Sequence, residues 1–170
     1  MRRTATLVGA MALLAGCSDS PTATKQQQDL EALRRVTTPF QNFQAATTSG
    51  WSAKITPCMS DPSGGMGYHY GNTALIDGSV SVEQPELLLY EPDQAGTLRL
   101  VAVEYIVPYS AHSRSDAPPV LFGREFKKND TFQLWGLHVW AWKENANGLY
   151  ADWNPQVSCA NAADVSSMVH

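Results

Sequence analysis

The sequence predicts an α+β domain in which an N-terminal helix or helix pair packs on a mostly antiparallel β-sheet. Two observations support this fold class. Near the start of the chain, Leu30, Leu33 and Val36 recur at the spacing of an amphipathic helix. After Trp51 the sequence changes to short β-like runs separated by glycine, proline and aspartate. A helical region followed by a series of strands, without alternation of the two, is typical of α+β proteins.

A second short helix is predicted after the first. The stretch Thr38–Gln41, "TPFQ", has the form of a capping box with proline at the first helical position. Gly50 is the predicted stop of this helix. Its predicted apolar face comprises Phe40, Phe43 and Ala46 or Thr47. Alternatively, the two helical segments form one helix that is kinked at Pro39.

Five strands are predicted from runs of β-forming residues and the turn residues between them: 68–70, 86–90, 98–107, 132–143 and 149–153. Asn147-Gly148 suits a tight turn with positive φ, which predicts an antiparallel hairpin of the last two strands. Residues 93–96 are expected to form the turn between the second and third strands. Segment 108–130 has no clear periodicity, so a long loop is predicted there.

The start of the chain has the layout of a secretory signal, in which Arg2 and Arg3 precede an uncharged apolar run. The stretch Leu14-Ala15-Gly16-Cys17 resembles the lipobox of bacterial lipoproteins. This resemblance implies that residues 1–16 are a signal peptide and that Cys17 is acylated. The run is shorter than the about 20 residues that span a bilayer, which argues against a transmembrane anchor. An ordinary signal peptide would leave Cys17 an unpaired thiol in an oxidising compartment.

Ser18 follows the cysteine, as in lipoproteins that are sorted to the outer membrane. We therefore expect a lipid-anchored protein of the cell envelope, at the outer membrane and facing the periplasm, with the membrane as a partner through the acyl chains. Residues 17–28 are polar and are predicted to be a tether. Residues 29–160 are predicted to be a single α+β domain, and 161–170 a flexible tail.

The charge balance argues against nucleic acid as a partner. The chain has 12 lysines and arginines and 16 aspartates and glutamates, a net charge of -4. Removal of residues 1–16, which hold two arginines and no acid, changes the net charge to -6. An acidic domain lacks the basic surface that binding to phosphates requires.

Cys58 and Cys159 are predicted to form a disulfide, because they are the two thiols that remain once Cys17 is acylated. A bridge that closes a loop of about 100 residues stabilises the fold by up to about 4.7 kcal/mol in the chain-entropy model. Zinc binding by two isolated cysteines, without a C-x-x-C spacing, is the weaker alternative.

Three polar residues set in β-like runs are the candidates for chemistry: His69, Glu104 and His138. Alternate residues of a strand share a face. The residues predicted to share the face of Glu104 are Leu98, Leu100, Ala102 and Ile106. Those predicted to share the face of His138 are Leu134, Gly136, Trp140 and Trp142. Gly136 leaves room beside the imidazole of His138. If the sheet brings the three residues together, they form a two-histidine, one-carboxylate set suited to zinc, iron or another divalent metal.

A structural role for the same residues is the alternative. A histidine in a strand is commonly half-buried and hydrogen-bonded to a backbone carbonyl. Glu104 has Arg99, Arg114 and Arg124 as candidate ion-pair partners. The histidines are far apart and show no H-x-H or H-E-x-x-H spacing, so their convergence is assumed.

Aromatic residues near the C-terminus form a second candidate site: Trp135, Trp140, Trp142, Tyr150 and Trp153. Aromatic rings that line a groove stack on sugars and other flat ligands. Alternation places Trp140 and Trp142 on one face, which makes them candidate ligand contacts, and Trp135 on the other. Packing in the core is the favoured alternative for this group.

At "GGMGYHYGN", "LRLVAVEY" and "LHVWAWKENANGLYADWNPQVSC" the chain resembles a family of uncharacterised bacterial secreted proteins and lipoproteins. The resemblance runs from about Gln41 to Cys159. It implies a single secreted domain and carries no assigned activity.

The sequence lacks the motifs of serine nucleophiles, P-loops and thiol redox pairs. The favoured prediction is therefore a module that binds a small ligand or a divalent metal, and not an enzyme. One alternative is a metal-dependent hydrolase, with an open coordination position for water. Another is a structural lipoprotein that interacts with an envelope protein.

Overall fold

A computed structural model describes residues 21–163 and shows the predicted α+β fold. The first helix, α1, is Pro21–Thr37, and Leu33 on its apolar stripe is completely buried against the sheet. Arg34 and Arg35 lie in its last turn, where positive charge interacts favourably with the helix dipole. The second helix, α2, is Phe43–Thr48.

The link between the helices differs from the predicted capping box. Thr38–Gln41 forms one turn of 3-10 helix, and Thr38 Oγ1 donates back to the carbonyl of Arg34. Asn42 caps α2, because its side-chain oxygen accepts from the backbone N–H groups of Gln44 and Ala45. The second helix therefore begins at Phe43. Gly50, with φ of 113°, follows its end as predicted.

The structure also differs from the predicted tether, because α1 includes residues 21–28. The side-chain amide of Gln26 donates to the Tyr150 hydroxyl at 2.9 Å, so this part of the helix contacts the body of the domain. Cys17 and the predicted signal peptide lie outside the described residues, as do residues 164–170 of the predicted tail. Within residues 21–163, no helix combines the length and apolar character needed to cross a membrane.

In the described part of the chain, nine strands follow the helices: β1 Ala53–Lys54, β2 Met59–Asp61, β3 Gly64–Gly71, β4 Leu87–Pro92, β5 Leu98–Pro108, β6 Val120–Leu121, β7 Arg124–Glu125, β8 Lys127–Asn129 and β9 Leu134–Val139. The main sheet has the order β1-β3-β4-β5-β9-β8, with β2 also paired to β3. Strands β6 and β7 form a separate two-stranded sheet. All the pairings are antiparallel.

Three of the five predicted strands are confirmed, in β3, β4 and β5. The turn at residues 93–96 is confirmed as well, since Gly96 has φ of 78° and its N–H donates to the carbonyl of Asp93. The predicted loop 108–130 contains three short strands, β6, β7 and β8.

The predictions near the C-terminus are partly wrong. The predicted strand 132–143 is reduced to β9, and 149–153 is not a strand. Asn147-Gly148 does form a turn, with Gly148 at φ of 105°, but no hairpin follows. One backbone bond joins the two segments, from the Trp140 N–H to the carbonyl of Leu149, but the Ala141 N–H donates to the carbonyl of Val139 and the Trp140 indole to that of Ala151. The chain therefore leaves the sheet after Val139.

The main sheet has two buried faces, which we call the helix face and the site face. The helix face carries Leu88, Tyr90, Val103 and Tyr105, which pack in one cluster with Leu33. The site face carries a second apolar cluster, of which Leu87, Leu89, Ala102 and Ile106 are members. The C-terminal segment covers part of the site face through Val157.

The prediction that Leu98 and Leu100 share the face of Glu104 is wrong. Both residues pack in the cluster of the helix face, whereas Ala102 packs on the site face. The cause is an irregularity in the pairing of β4 with β5, where Leu89 lies opposite Ala102 but Tyr90 lies opposite Leu100. The extra residue shifts the alternation of side chains between the two faces.

Candidate metal centre

The site face brings His69, Glu104 and His138 together, and all three are buried. His69 lies on β3, Glu104 on β5 and His138 on β9, directly opposite Glu104. His69 Nε2 is 3.5 Å from Glu104 Oε2, and His138 Nε2 is 3.8 Å from the same oxygen. One potential ligand atom from each residue lies within 4.8 Å of the other two. We call these three residues the triad.

The spacing of the triad atoms fits a single metal ion. Nitrogen and oxygen ligands bind zinc at about 2.0–2.2 Å, which places neighbouring ligand atoms of a tetrahedral site about 3.3 Å apart. The distances of His69 Nε2 and His138 Nε2 from Glu104 Oε2, 3.5 and 3.8 Å, exceed the spacing of about 3.3 Å by a few tenths of an ångström. Imidazole and carboxylate are also ligand types that zinc and iron accept.

An unsatisfied atom marks the centre of the triad. Among the described residues, His138 Nε2 is a buried side-chain nitrogen with no hydrogen-bond partner. A buried polar atom that lacks a partner costs about 1–3 kcal/mol. A buried nitrogen of this kind, beside a carboxylate oxygen 3.8 Å away, suits the role of a metal ligand.

Two outer residues contact the opposite nitrogens of the imidazole rings. Thr56 Oγ1 is 2.8 Å from His69 Nδ1. Asp152 Oδ1 is 3.8 Å from His138 Nδ1, and it accepts from Lys127 Nζ at 2.8 Å. The Thr56 contact is a hydrogen bond that orients the ring of His69, as outer partners of metal-binding histidines do, whereas Asp152 lies beyond hydrogen-bond distance of His138.

Gly136 makes room for the carboxylate. It lies opposite Ile106 on β9, two residues before His138. A Cβ atom at this position would lie 2.9 Å from Glu104 Oε1, closer than a side chain normally tolerates. The absence of a side chain at Gly136 was expected to leave room for a ligand or a close backbone contact, and the carboxylate of Glu104 takes this place instead.

Burial controls the protonation of the metal-free triad. Desolvation lowers the pKa of His69 to about 3, with a smaller contribution from His138. Desolvation likewise lowers the pKa of His138 to about 3. It raises the pKa of Glu104 to about 8. All three shifts have the same cause, namely that a charged group loses its hydration when it is enclosed by apolar strands.

The arginines offered as alternative partners of Glu104 are engaged elsewhere. Arg99 pairs with Asp93, and Arg114 pairs with Asp130. The guanidinium of Arg124 lies over the ring of Tyr150. The ion-pair alternative for Glu104 is therefore wrong for each of these arginines.

A cavity of about 330 Å³ opens beside the triad, whose three residues all line it. The rest of the lining is largely apolar and comprises Ile55, Thr56, Met59, Met66, Leu87, Ile106, Asn129, Thr131, Phe132, Leu134 and Trp153. Ile55 is 42% exposed and Phe132 is 49% exposed, so both lie at the solvent side of the cavity.

Of the predicted aromatic group, Trp153 lines the cavity, whereas the two candidate ligand contacts, Trp140 and Trp142, lie away from it. Trp140 is buried and its indole donates to the carbonyl of Ala151. Trp142 packs against the helix face, and its indole donates to Thr37 Oγ1. The two rings therefore lie on opposite faces, contrary to the alternation expected from the sequence, because β9 ends at Val139. Neither is part of the cavity lining.

The predicted disulfide is present between Cys58 and Cys159, whose Cα atoms are 5.8 Å apart. It joins two segments that border the triad. Cys58 follows Thr56, the partner of His69, and Cys159 follows Val157 on the site face. The disulfide thus holds part of the covering of the site face in place.

Sequence reasoning missed the roles of Thr56 and Asp152 and the apolar cavity. Thr56 is 13 residues before His69, and no short motif connects the two. Comparisons of the chain with models of protein families, with curated proteins and with solved structures found no match. The site therefore has to be interpreted from its own geometry.

Proposed function

We propose that this protein is a metal-binding module of the cell envelope and that His69, Glu104 and His138 hold one divalent ion. The observation that carries the proposal is the convergence of three buried ligand atoms around an unsatisfied nitrogen, His138 Nε2. The contact of Thr56 with His69 Nδ1 supports it, because a partner on Nδ1 orients the ring so that Nε2 faces Glu104.

Metal analysis of the full chain tests the proposal. The protein is purified with its disulfide formed and without chelator, and its zinc, iron and manganese contents are measured before and after reconstitution with Zn²⁺. We expect about one ion per chain, the stoichiometry that a single three-ligand site requires. His138→Ala should lose the ion.

His112→Ala is the matched control. His112 is a half-buried histidine outside the triad, and its ring nitrogen contacts the carbonyl of Ala117. This variant should keep the full metal content. An ion that persists in the folded His138→Ala variant, or a wild-type chain that binds none after reconstitution, would contradict the proposal.

A metal-dependent hydrolase is the second candidate, and the cavity beside the triad favours it. Three protein ligands leave a coordination position for water, whose pKa a zinc ion lowers to about 7. The test is hydrolysis of a panel of small esters by the zinc-loaded chain. Activity that tracks metal content and disappears in His138→Ala would support a hydrolase; hydrolysis by the metal-free chain would exclude this mechanism.

We also propose that Cys17 is acylated and that the mature chain is anchored at the outer membrane. The support is the lipobox-like stretch that ends at Cys17, preceded by the basic and apolar parts of a signal. Detergent phase partition of the wild type and of Cys17→Ser tests this. The wild type should partition with detergent and the variant should not; equal partition would contradict lipidation.

A further inference from the structure

We infer that the metal centre takes a small organic monoanion with an apolar body, whose anionic group binds the metal while its apolar part lies in the adjoining cavity. The inference rests on the proposed function and specifies the class of ligand for that site. It is drawn from the charge of the site, from the lining of the cavity and from the position of the two exposed apolar residues.

The charge of the loaded site favours a monoanion. A divalent ion with one carboxylate and two neutral imidazoles carries a net charge of about +1, which is costly in a buried site unless it is compensated. Asp152, the other acid that contacts the triad, is engaged with Lys127 at 2.8 Å. One anionic donor from a ligand would neutralise the remaining charge and fill an open coordination position.

The lining of the cavity favours an apolar body. Met66, Ile106 and Leu134 line it together with the triad. Its polar side chains include Thr56, which contacts His69, and Asn129, whose side-chain oxygen accepts from the Phe132 N–H. The volume of about 330 Å³ is at the small end of the range of ligand pockets, about 300–1,000 Å³.

The rim of the cavity is apolar as well. In the part of the chain that the structure describes, three large apolar side chains are exposed: Ile55, Val120 and Phe132. Two of them, Ile55 and Phe132, line this cavity. An apolar ligand that entered between Ile55 and Phe132 would cover apolar surface that is otherwise in contact with water.

A series of straight-chain carboxylates tests the inference. Acetate, butanoate, hexanoate and octanoate are titrated by calorimetry into the full chain loaded with Zn²⁺. Affinity should rise about fourfold for each added methylene until the cavity is full, because burial of a methylene contributes about 0.8 kcal/mol. The metal-free chain should bind the same acids much more weakly.

Two variants at the rim locate the binding. Ile55→Ser and Phe132→Ser should reduce the gain in affinity between butanoate and octanoate, and both changes are at exposed side chains. Val120→Ser is the matched control, since Val120 is exposed on β6 outside the cavity. It should leave the series unchanged.

The possible failures are distinguishable. If Zn²⁺ binds but affinity does not depend on chain length, or carboxylates do not bind, this inference is wrong and the metal site stands. If the metal-free chain binds the acids equally well, the anionic group does not bind the metal, and this inference is wrong. If Zn²⁺ itself does not bind, the proposed function fails first, and the inference fails with it.

Discussion

The helix face and the site face of the sheet differ in how their buried polar atoms are satisfied. On the helix face, the hydroxyls of Tyr90 and Tyr105 donate to backbone carbonyls at 2.8 and 2.7 Å. On the site face, His138 Nε2 has no hydrogen-bond partner among residues 21–163, and the nearest oxygen of Glu104 is 3.8 Å away.

This difference shows that the site face is not simply a second core. Strand β5 contributes Val103 and Tyr105 to the helix face and Glu104 to the site face. An apolar residue at position 104 would fill the same space without the cost of burying a carboxylate. A metal ion bound by the triad would account for the presence of three ionisable groups on the buried site face.

The largest effect on stability is expected from a change on the helix face. Leu88 is completely buried, and Leu88→Ala should lower the free energy of unfolding by about 2–5 kcal/mol, because the cavity is only partly refilled. Urea denaturation with the disulfide intact measures this loss. The zinc affinity of the folded variant should stay unchanged.

Phe132→Ala is the comparison on the site face. Its side chain is half-exposed at the rim of the cavity, so the change should cost much less stability than Leu88→Ala. Equal losses in the free energy of unfolding for the two variants would show that Phe132 at the rim is packed as tightly as Leu88 in the core.

A pH-dependent effect of intermediate size is expected at Glu86. Its carboxylate accepts from the Ile106 N–H where β5 extends past the start of β4, and burial raises the pKa of Glu86 to about 8. The folded state therefore binds a proton more tightly than the unfolded state. Stability from this group is present below the unfolded pKa of 4.5 and is lost as the pH rises through about 8.

Glu86→Gln should remove this dependence. Between pH 5 and 8 the wild type should lose on the order of 2–4 kcal/mol more than the variant, at about 1.4 kcal/mol per pKa unit. Urea denaturation across this pH range measures the difference. Glu83→Gln, at an exposed residue that pairs with Arg35, is the control and should follow the wild type; identical pH profiles for all three proteins would refute the role of Glu86.

The effect expected from Gly136→Ala should fall on the metal site. The new methyl group would displace Glu104 from its position, since its Cβ would lie 2.9 Å from Oε1. Zinc affinity should fall about 10- to 100-fold, the range found when the orientation of a ligand is disturbed. Competition with a chelator measures this change. An unchanged zinc affinity in the folded variant would show that zinc binding does not depend on the present orientation of Glu104.

Features with a strong local signal were predictable from the sequence. The turn at residues 93–96, the strands around it and the disulfide follow from turn residues and from the number of thiols. The hairpin at Asn147-Gly148 was not correctly predicted: the Trp140 N–H does bond to the carbonyl of Leu149, but the Ala141 N–H and the carbonyl of Ala151 take other partners, so no ladder of strand pairs forms.

The composition of the triad was predictable, whereas its geometry was not. His69 and His138 stand out in the sequence as polar residues within apolar strands. Their distance depends on the register of β4 with β5, which contains an irregularity that no local pattern signals. The outer contact of Thr56 depends on where the chain before Cys58 lies against β3, which is a long-range property of the fold.

Unfolding of the wild type and of Glu104→Gln, each with and without Zn²⁺, tests the central claim most directly. At a zinc concentration of 100 times the Kd, the wild type should gain about 2.7 kcal/mol of stability. The variant should gain little from zinc. Without metal it should be at least as stable as the wild type, because the amide keeps the shape of the side chain and removes the cost of a buried carboxylate. A variant that loses several kcal/mol without metal, beside a wild type that zinc does not stabilise, would show that the triad is a structural element of the sheet.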